Sequence, residues 1–337
     1  MALLSIYGLS VRLPGRARRP ILDGVDLTVE AGEIVGLVGE SGSGKSVTAR
    51  AVLGLTPSGS EVAGRVLVGN VDVGSAAPAQ LRTLRSSTVS MVFQDPRAGI
   101  NPMRTVGDFM TESLRLNRGW SKGAATERAV ELLAAVGMPD PPRHLRQHPH
   151  ELSGGMLQRV MIAAALSTEP ALLLCDEPTT ALDVTTQAEI LAILTRQQAQ
   201  RGMGMLFITH DLDLASAVCT RVYVMYAGRV VEAAPAHRLF SEPRHPYTVG
   251  LLASTPDIHG AQERLVPIPG TPLGLLEDPP GCAFAARCPL AVPDPCLSLR
   301  PGLEPVTGSA GHEVACPRAQ LSTGDLVRLG SLEEGRP

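Results

Sequence analysis

"GESGSGKS", Gly39–Ser46, decides the fold. It matches the pattern G-x-x-x-x-G-K-[S/T], follows the apolar run "EIVGLV" and precedes the helical "SVTARAVLGL". In that strand–loop–helix setting, glycines let successive N–H groups point at phosphate oxygens at the positive end of a helix. The expected nucleotide-binding residues are Gly39, Glu40, Ser41, Gly42, Ser43, Gly44, Lys45, Ser46 and Val47. The Lys45 ammonium is expected at the β/γ-phosphates and the Ser46 hydroxyl on Mg²⁺. The chain has 28 arginines but only two lysines, and one of those lysines sits here. A compact charge on a flexible stem fits this loop, where a planar guanidinium does not.

Working outward, "LLLCDEP" reads as a buried strand that delivers Asp176 to its C-terminal end, suited to Mg²⁺ through water. Glu177 follows and is the expected general base. The short apolar runs "EIVGLVG", "VSMVF", "ALLLC" and "GMLFIT" predict strands of a largely parallel sheet. "GRVLVGNVDV" predicts a β-hairpin about Gly69-Asn70. "DVTTQAEILAILTRQQAQRG" predicts a helix with Asp183 as N-cap and Gly202 as C-cap. "ATERAVELLAAVG" predicts another, with Val130, Leu133 and Val136 inward and Gly137 at its end. Alternating strands and helices indicate an α/β fold.

At 337 residues the chain is expected to form two or three units. A net charge of −3 and 3% aromatic residues argue against a nucleic-acid or membrane-surface binder. The run "RARRP", Arg16–Pro20, reads as a solvated loop. No apolar run reaches the roughly 18–20 residues needed to cross a bilayer. "MALLSIYGLSVRL" has no signal-peptide layout, so a cytosolic chain is expected, where stable disulfides are rare. Of the 28 prolines, 13 fall between Pro243 and Pro305. That shift predicts one α/β domain over 1–245 and a smaller irregular unit over 246–337.

"LSGGMLQ", Leu152–Gln158, resembles the signature of ATP-binding-cassette ATPases. Gln94 in "VFQDP" resembles that family's Q-loop glutamine, "TALD" (Thr180–Asp183) its D-loop and His210 in "ITHD" its switch histidine. The resemblance implies a phosphate-loop ATPase fold with antiparallel β and helical subdomains, the helical one at about residues 95–165. It implies ATP and Mg²⁺ as ligands, Glu177, His210 and Gln94 as catalytic residues, and Ser46, Gln94 and Asp176 around the metal. It also implies that Ser153, Gly154 and Gly155 meet the γ-phosphate held by a partner ATPase, identical or related, so that ATP joins two copies. An aromatic residue near the end of the first strand is usual for adenine stacking; that position here is about Leu13, and Tyr7 lies earlier.

"QDPRAGINP", "PHELSGGMLQRVMIAAAL" and "DEPTTALDVTTQAEIL" are similar to oligopeptide, dipeptide and nickel importer ATPases. "RHPYTVGLLASTP", "IPGTP" and "GCAFAARC" resemble that group's C-terminal extension. The implied protein is a peripheral ATPase on the cytoplasmic face of the inner membrane. It would bind two transmembrane permease subunits and, indirectly, a solute-binding protein. Short-peptide import is the expected function, with nickel-chelate or opine uptake as alternatives. A soluble cassette ATPase of DNA repair or translation is the rival from another class. The single phosphate loop and acidic balance count against it, and no nucleic-acid partner is expected.

Cys282, Cys288, Cys296 and Cys316 lie within this extension. They lack the C-x₂-C knuckles of zinc ribbons, and four thiolates satisfy the ligand count of an iron–sulfur cluster. The resemblance implies a [4Fe-4S] cluster, which some ATPases of the group carry. Zinc, or reduced thiols filling a small core, are the alternatives. Cys175 and Cys219 read as ordinary core residues.

Overall fold

The computed structural model describes residues 2–15, 17, 19–180, 182–254 and 267–319. Its strands are β1 (Ala2–Arg12), β2 (Leu22–Glu30), β3 (Ile34–Val38), β4 (Glu61–Val68), β5 (Val71–Asp72), β6 (Val89–Val92), β7 (Leu172–Asp176), β8 (Gly204–Thr209), β9 (Arg221–Tyr226), β10 (Arg229–Pro235), β11 (Glu304–Pro305) and β12 (Glu313–Val314). Helices are α1 (Lys45–Val52), α2 (Pro78–Ser87), α3 (Val106–Arg118), α4 (Lys122–Ala135), α5 (Pro141–His144), α6 (Gly154–Leu166), α7 (Val184–Arg201), α8 (Leu212–Val218), α9 (Ala236–Ser241) and α10 (Pro246–Ala253).

The main sheet runs β11-β12-β10-β9-β3-β8-β7-β6, and β9, β3, β8, β7 and β6 are mutually parallel. Because side chains alternate along a strand, this parallel core is apolar on both faces. Val35, Leu37, Leu172, Leu174, Leu206 and Ile208 pack on α1 and on the antiparallel sheet β2-β1-β4-β5. Val38, Leu173, Cys175 and Phe207 point the other way, into a cluster shared with α3, α4, α6, α7 and α8. Leu173 and Leu206 have no exposed surface, so truncating either to alanine is expected to cost about 2–5 kcal/mol.

The local signals explain the element boundaries. Asp183 accepts a hydrogen bond from the Thr186 amide at 3.0 Å, and Gly202 closes α7 at φ 61°. Helix α4 begins earlier than the quoted stretch, because Ser121 caps it, and Leu133 and Val136 are buried while Val130 is half-buried. The Gly69-Asn70 turn joins β4 to β5 with Val68 opposite Val71.

The proline-rich tail returns to the main sheet. Strand β12 pairs antiparallel with β10, and β11 pairs with β12. Phe284 of the tail lies 5.3 Å from both the Tyr226 and Tyr247 rings and is 2% exposed. Glu232 of β10, fully buried, accepts from the amides of Arg244 at 2.7 Å and His245 at 3.0 Å; His312 Nε2 sits 2.7 Å from Glu232 Oε1.

One expectation is corrected here. Arg19 of the "RARRP" run is buried: its guanidinium donates to the carbonyls of Leu273, Gly274 and Ala227 at 2.9–3.0 Å. Clustered carbonyls supply the partners that let an arginine leave water. Arg16 and Arg18 lie outside the described residues, as do Ala181 of the D-loop, the end of "RHPYTVGLLASTP" and residues 320–337.

Candidate nucleotide site

Four neighbouring parallel strands end side by side. β3 leads into the phosphate loop, β7 ends at Asp176, β8 precedes His210 and β6 precedes Gln94. In open α/β sheets this carboxyl edge is where ligands bind.

The phosphate loop is held by close packing. A Cβ on Gly39 would stand 2.2 Å from the Met225 carbonyl oxygen, and its φ of 148° also excludes side chains. Helix α1 starts at Lys45 with Gly44 as an N-cap that offers no side-chain bond. Its first amides therefore have no intramolecular side-chain acceptor, the condition for an anion cradle. Ser43 Oγ in the same loop is buried without a hydrogen-bond partner. Lys45, 4% exposed, donates to the carbonyls of Gly39 at 2.7 Å and Glu40 at 3.0 Å. Burial lowers the Lys45 pKa, opposed by the charges of Glu177, Asp176 and Glu40. Glu40, Ser41 and Gly42 form the turn, and Val47 packs beneath it on the apolar core.

Ser46 Oγ donates to Asp176 Oδ1 at 2.7 Å. Asp176 is fully buried, its Oδ2 has no partner, and desolvation raises the pKa of its carboxyl. A hard cation would offset that desolvation, so this pair of oxygens fits Mg²⁺.

Glu177 sits in the left-handed region at φ 47°, a conformation that costs a non-glycine residue about 1 kcal/mol or more. Its amide donates to the Ile208 carbonyl at 3.0 Å, which aims the side chain across the strand ends. Three groups converge on Glu177 Oε2: Gln94 Nε2 at 2.9 Å, Thr180 Oγ1 at 3.0 Å and His210 Nδ1 at 3.3 Å. Gln94, Asp176, Glu177, His210 and the phosphate loop are thus one site. Thr180 belongs to it as well; "TALD" flagged the stretch, but only the turn after Glu177 shows that the hydroxyl reaches the carboxylate.

The signature residues stand apart. Ser153 caps α6, its hydroxyl accepting from the Met156 amide at 3.3 Å, and Gly155 lies against Thr186. Among the described residues, no hydrogen bond or ion pair joins residues 152–158 to residues 39–47. Tyr7 lies mid-way along β1 and is half-exposed, while Leu13 directly follows that strand.

The iron–sulfur expectation for Cys282, Cys288, Cys296 and Cys316 is not supported. Among the described residues no group of three or more His, Cys, Asp or Glu side chains is arranged to hold a metal ion, and all four cysteines are free. Desolvation pushes the thiols of Cys282, Cys288 and Cys316 up, that of Cys316 to about 11. Cys282 and Cys288 pack against the apolar core, and Cys296 is buried. The zinc alternative likewise finds no such group among the described residues.

Two further contacts at the loop carry no sequence signal, since they bring together residues more than 200 positions apart. The Glu40 amide donates to Tyr247 Oη at 2.8 Å, and the Glu40 carboxylate pairs with Arg287.

Comparison with known proteins identifies the lineage. Residues 22–180 match the family model of ABC transporters, and residues 231–296 that of the oligopeptide/dipeptide transporter C-terminal region. The dipeptide transport ATP-binding protein DppD of Bacillus subtilis is 47% identical over 270 residues, covering 79% of this chain and 80% of DppD. The chain belongs to the oligopeptide/dipeptide branch of the ATP-binding-cassette family. The oligopeptide transport ATP-binding protein OppD of Mycobacterium tuberculosis is also 47% identical, over 93% of this cassette. The cassette spans 52% of that OppD, about half its length. Among solved structures, the dimeric post-hydrolysis state of the ATP-binding cassette MJ0796, bound to ADP and Pi, superposes with a TM-score of 0.62 at 27% identity. That match covers 69% of this cassette and 98% of MJ0796. Among the described residues, no helix is long and apolar enough to cross a membrane.

Proposed function

We propose that this cassette is the ATP-hydrolysing subunit of a membrane importer for short peptides, working at the cytoplasmic face of the inner membrane. The observation that carries the ATPase reading is the convergence of Gln94, Thr180 and His210 on Glu177 Oε2, beside the Ser46–Asp176 pair. Peptide import is supported by the transport descriptions of DppD and OppD and by the match over residues 231–296.

In this reading the ATPase occupies 1–245 and the extension 246–337. The loop amides and Lys45 bind the β/γ-phosphates, and Ser46, Asp176 and Gln94 surround Mg²⁺. The metal would neutralise charge that develops between the phosphates. Glu177 accepts a proton from the attacking water, and His210 orients the γ-phosphate and that water. Ser153, Gly154 and Gly155 cap the nucleotide of a second ATPase subunit with N–H groups at a helix start. Gln94 leads into a groove lined by Phe93, Phe109, Leu116 and Met161. That groove suits an apolar helix from one of two permease subunits, and motion of the Gln94 loop would link hydrolysis to the permease.

The test is co-expression with permease subunits, reconstitution in proteoliposomes and measurement of labelled-peptide uptake with a solute-binding protein outside. Uptake that needs internal ATP and is lost in Glu177→Gln supports the proposal. ATP hydrolysis without any association with permease subunits would count against it.

A further inference from the structure

Arg287 reaches from the C-terminal extension into the phosphate loop. Its Nη1 and Nη2 donate to Glu40 Oε2 and Oε1 at 2.7 and 3.0 Å, and its Nε donates to the Pro269 carbonyl at 2.8 Å. The side chain is 5% exposed and lies over the Tyr226 and Phe284 rings at 5.8 and 5.9 Å. Fork-to-fork geometry, cation–π proximity to two rings and burial make this a fixed ion pair, unlike a pair on an open surface. The Glu40 amide is also held from the tail, by Tyr247 Oη at 2.8 Å. Both ends of Glu40 are therefore anchored outside the loop to which it belongs.

A carboxylate at this position needs an explanation. It is the second residue of a loop whose purpose is to gather amides and an ammonium around an anion. An unpaired Glu40 would repel the incoming phosphates and compete for Lys45, whose ammonium already lies 3.0 Å from the Glu40 carbonyl and feels the Glu40 charge.

We propose that Arg287 is a positioning residue for nucleotide binding: its pairing with Glu40 cancels a negative charge beside the phosphates and fixes the loop entrance, so the C-terminal extension sets ATP affinity. The proposal rests on the ATPase reading above. It gives the extension a role inside the cassette, separate from any contact with transport partners. A change that pulls Arg287 away would weaken nucleotide binding without touching Glu177 or His210.

The experiment is Mg·ATP binding and steady-state hydrolysis by the full chain, comparing wild type with Arg287→Gln, Arg287→Lys and the double variant Arg287→Gln/Glu40→Gln. Arg287→Gln should raise KM for ATP about tenfold and change kcat by less than about threefold, because the loss falls on binding and not on the chemical step. Arg287→Lys keeps the charge and one of the two bonds and should recover part of the affinity. The double variant, which removes the exposed carboxylate, should recover most of it. A residue that merely props up the fold would lower kcat as well, and the double variant would be no better than the single. Equal KM in wild type and Arg287→Gln, or no recovery in the double variant, overturns the proposal. Should Arg287→Gln fail to fold, the comparison of Arg287→Lys with wild type decides, and an unchanged KM in that variant overturns it. Wild type that binds no ATP removes the ATPase reading and this proposal with it, which sets that failure apart from a failure of Arg287 alone.

Discussion

The Gln94 side-chain amide donates to Glu177 Oε2 at 2.9 Å, joining a residue just past one sheet strand to the carboxylate at the end of its neighbour. Glu177 is held there at a positive φ, so its position is fixed before any substrate arrives. Replacing Glu177 by glutamine keeps size and hydrogen-bonding capacity but removes the ability to take a proton. ATP binding and nucleotide-driven dimerisation should persist, while turnover falls at least ~10²-fold. Phosphate release at saturating ATP measures this, and near-normal turnover would exclude Glu177 as base.

Asp176 offers a second, separable test. Asparagine at this position can still accept the Ser46 hydroxyl, now 2.7 Å from Oδ1, but lacks the charge that a divalent ion requires. Asp176→Asn should raise the Mg²⁺ concentration needed for half-maximal hydrolysis by ~10-fold or more, with partial recovery in excess Mg²⁺. A Mg²⁺ titration at fixed ATP is the measurement. An unchanged midpoint would show that Asp176 acts without the metal.

Much of this site could be read from the chain because the decisive residues lie at strand ends, where a run of apolar side chains gives way to a polar one. The four apolar runs fixed the positions of β3, β6, β7 and β8, and therefore those of Lys45, Gln94, Asp176 and His210. The Arg287–Glu40 and Tyr247–Glu40 contacts could not be read in the same way. They depend on how the tail folds back over β9 and β10, and nothing in local periodicity encodes that path. Arg19 failed as a solvated residue for the same reason: its carbonyl partners Leu273 and Gly274 come from the distant extension. Cysteine spacing was the least informative, because four sulfurs in sequence do not fix whether their side chains face an ion or the core.

His245 makes stability depend on pH. It is 1% exposed, its Nδ1 accepts from the Tyr247 amide at 3.0 Å, and its Nε2 has no partner. Desolvation lowers its pKa to about 4, against the opposing pull of the Glu232 carboxylate. The unfolded chain, with an ordinary histidine pKa near ~6.5, takes up the proton first as pH falls. Stability is therefore fully present above about pH 6.5 and is lost progressively down to pH 4, by roughly 2 kcal/mol at pH 5. In a His245→Asn variant the new side chain can still cap α10 but does not titrate. Urea midpoints at pH 7.5 and pH 5 should converge in the variant far more than in wild type. An identical acid loss in both would assign the effect to other groups.

Gly155 tests whether the signature acts on a second subunit. It occupies the second position of α6, and a Cβ there would lie 2.7 Å from Thr186 Cγ2. Thr186 could rotate away only by giving up its 2.7 Å bond to Asp183 Oδ2, a cost of about 1 kcal/mol. An aspartate in the first turn is otherwise favourable to a helix, so Gly155→Asp should fold. Its charge, however, would face the γ-phosphate of any nucleotide presented by a partner. Because the signature makes no bond to its own phosphate loop, ATP affinity of the monomer should stay within about threefold of wild type. In a Glu177→Gln background, the ATP-dependent dimer should disappear on size-exclusion chromatography. If the dimer survives, the signature is not at the joining surface; if monomer affinity falls in parallel, it acts within its own chain.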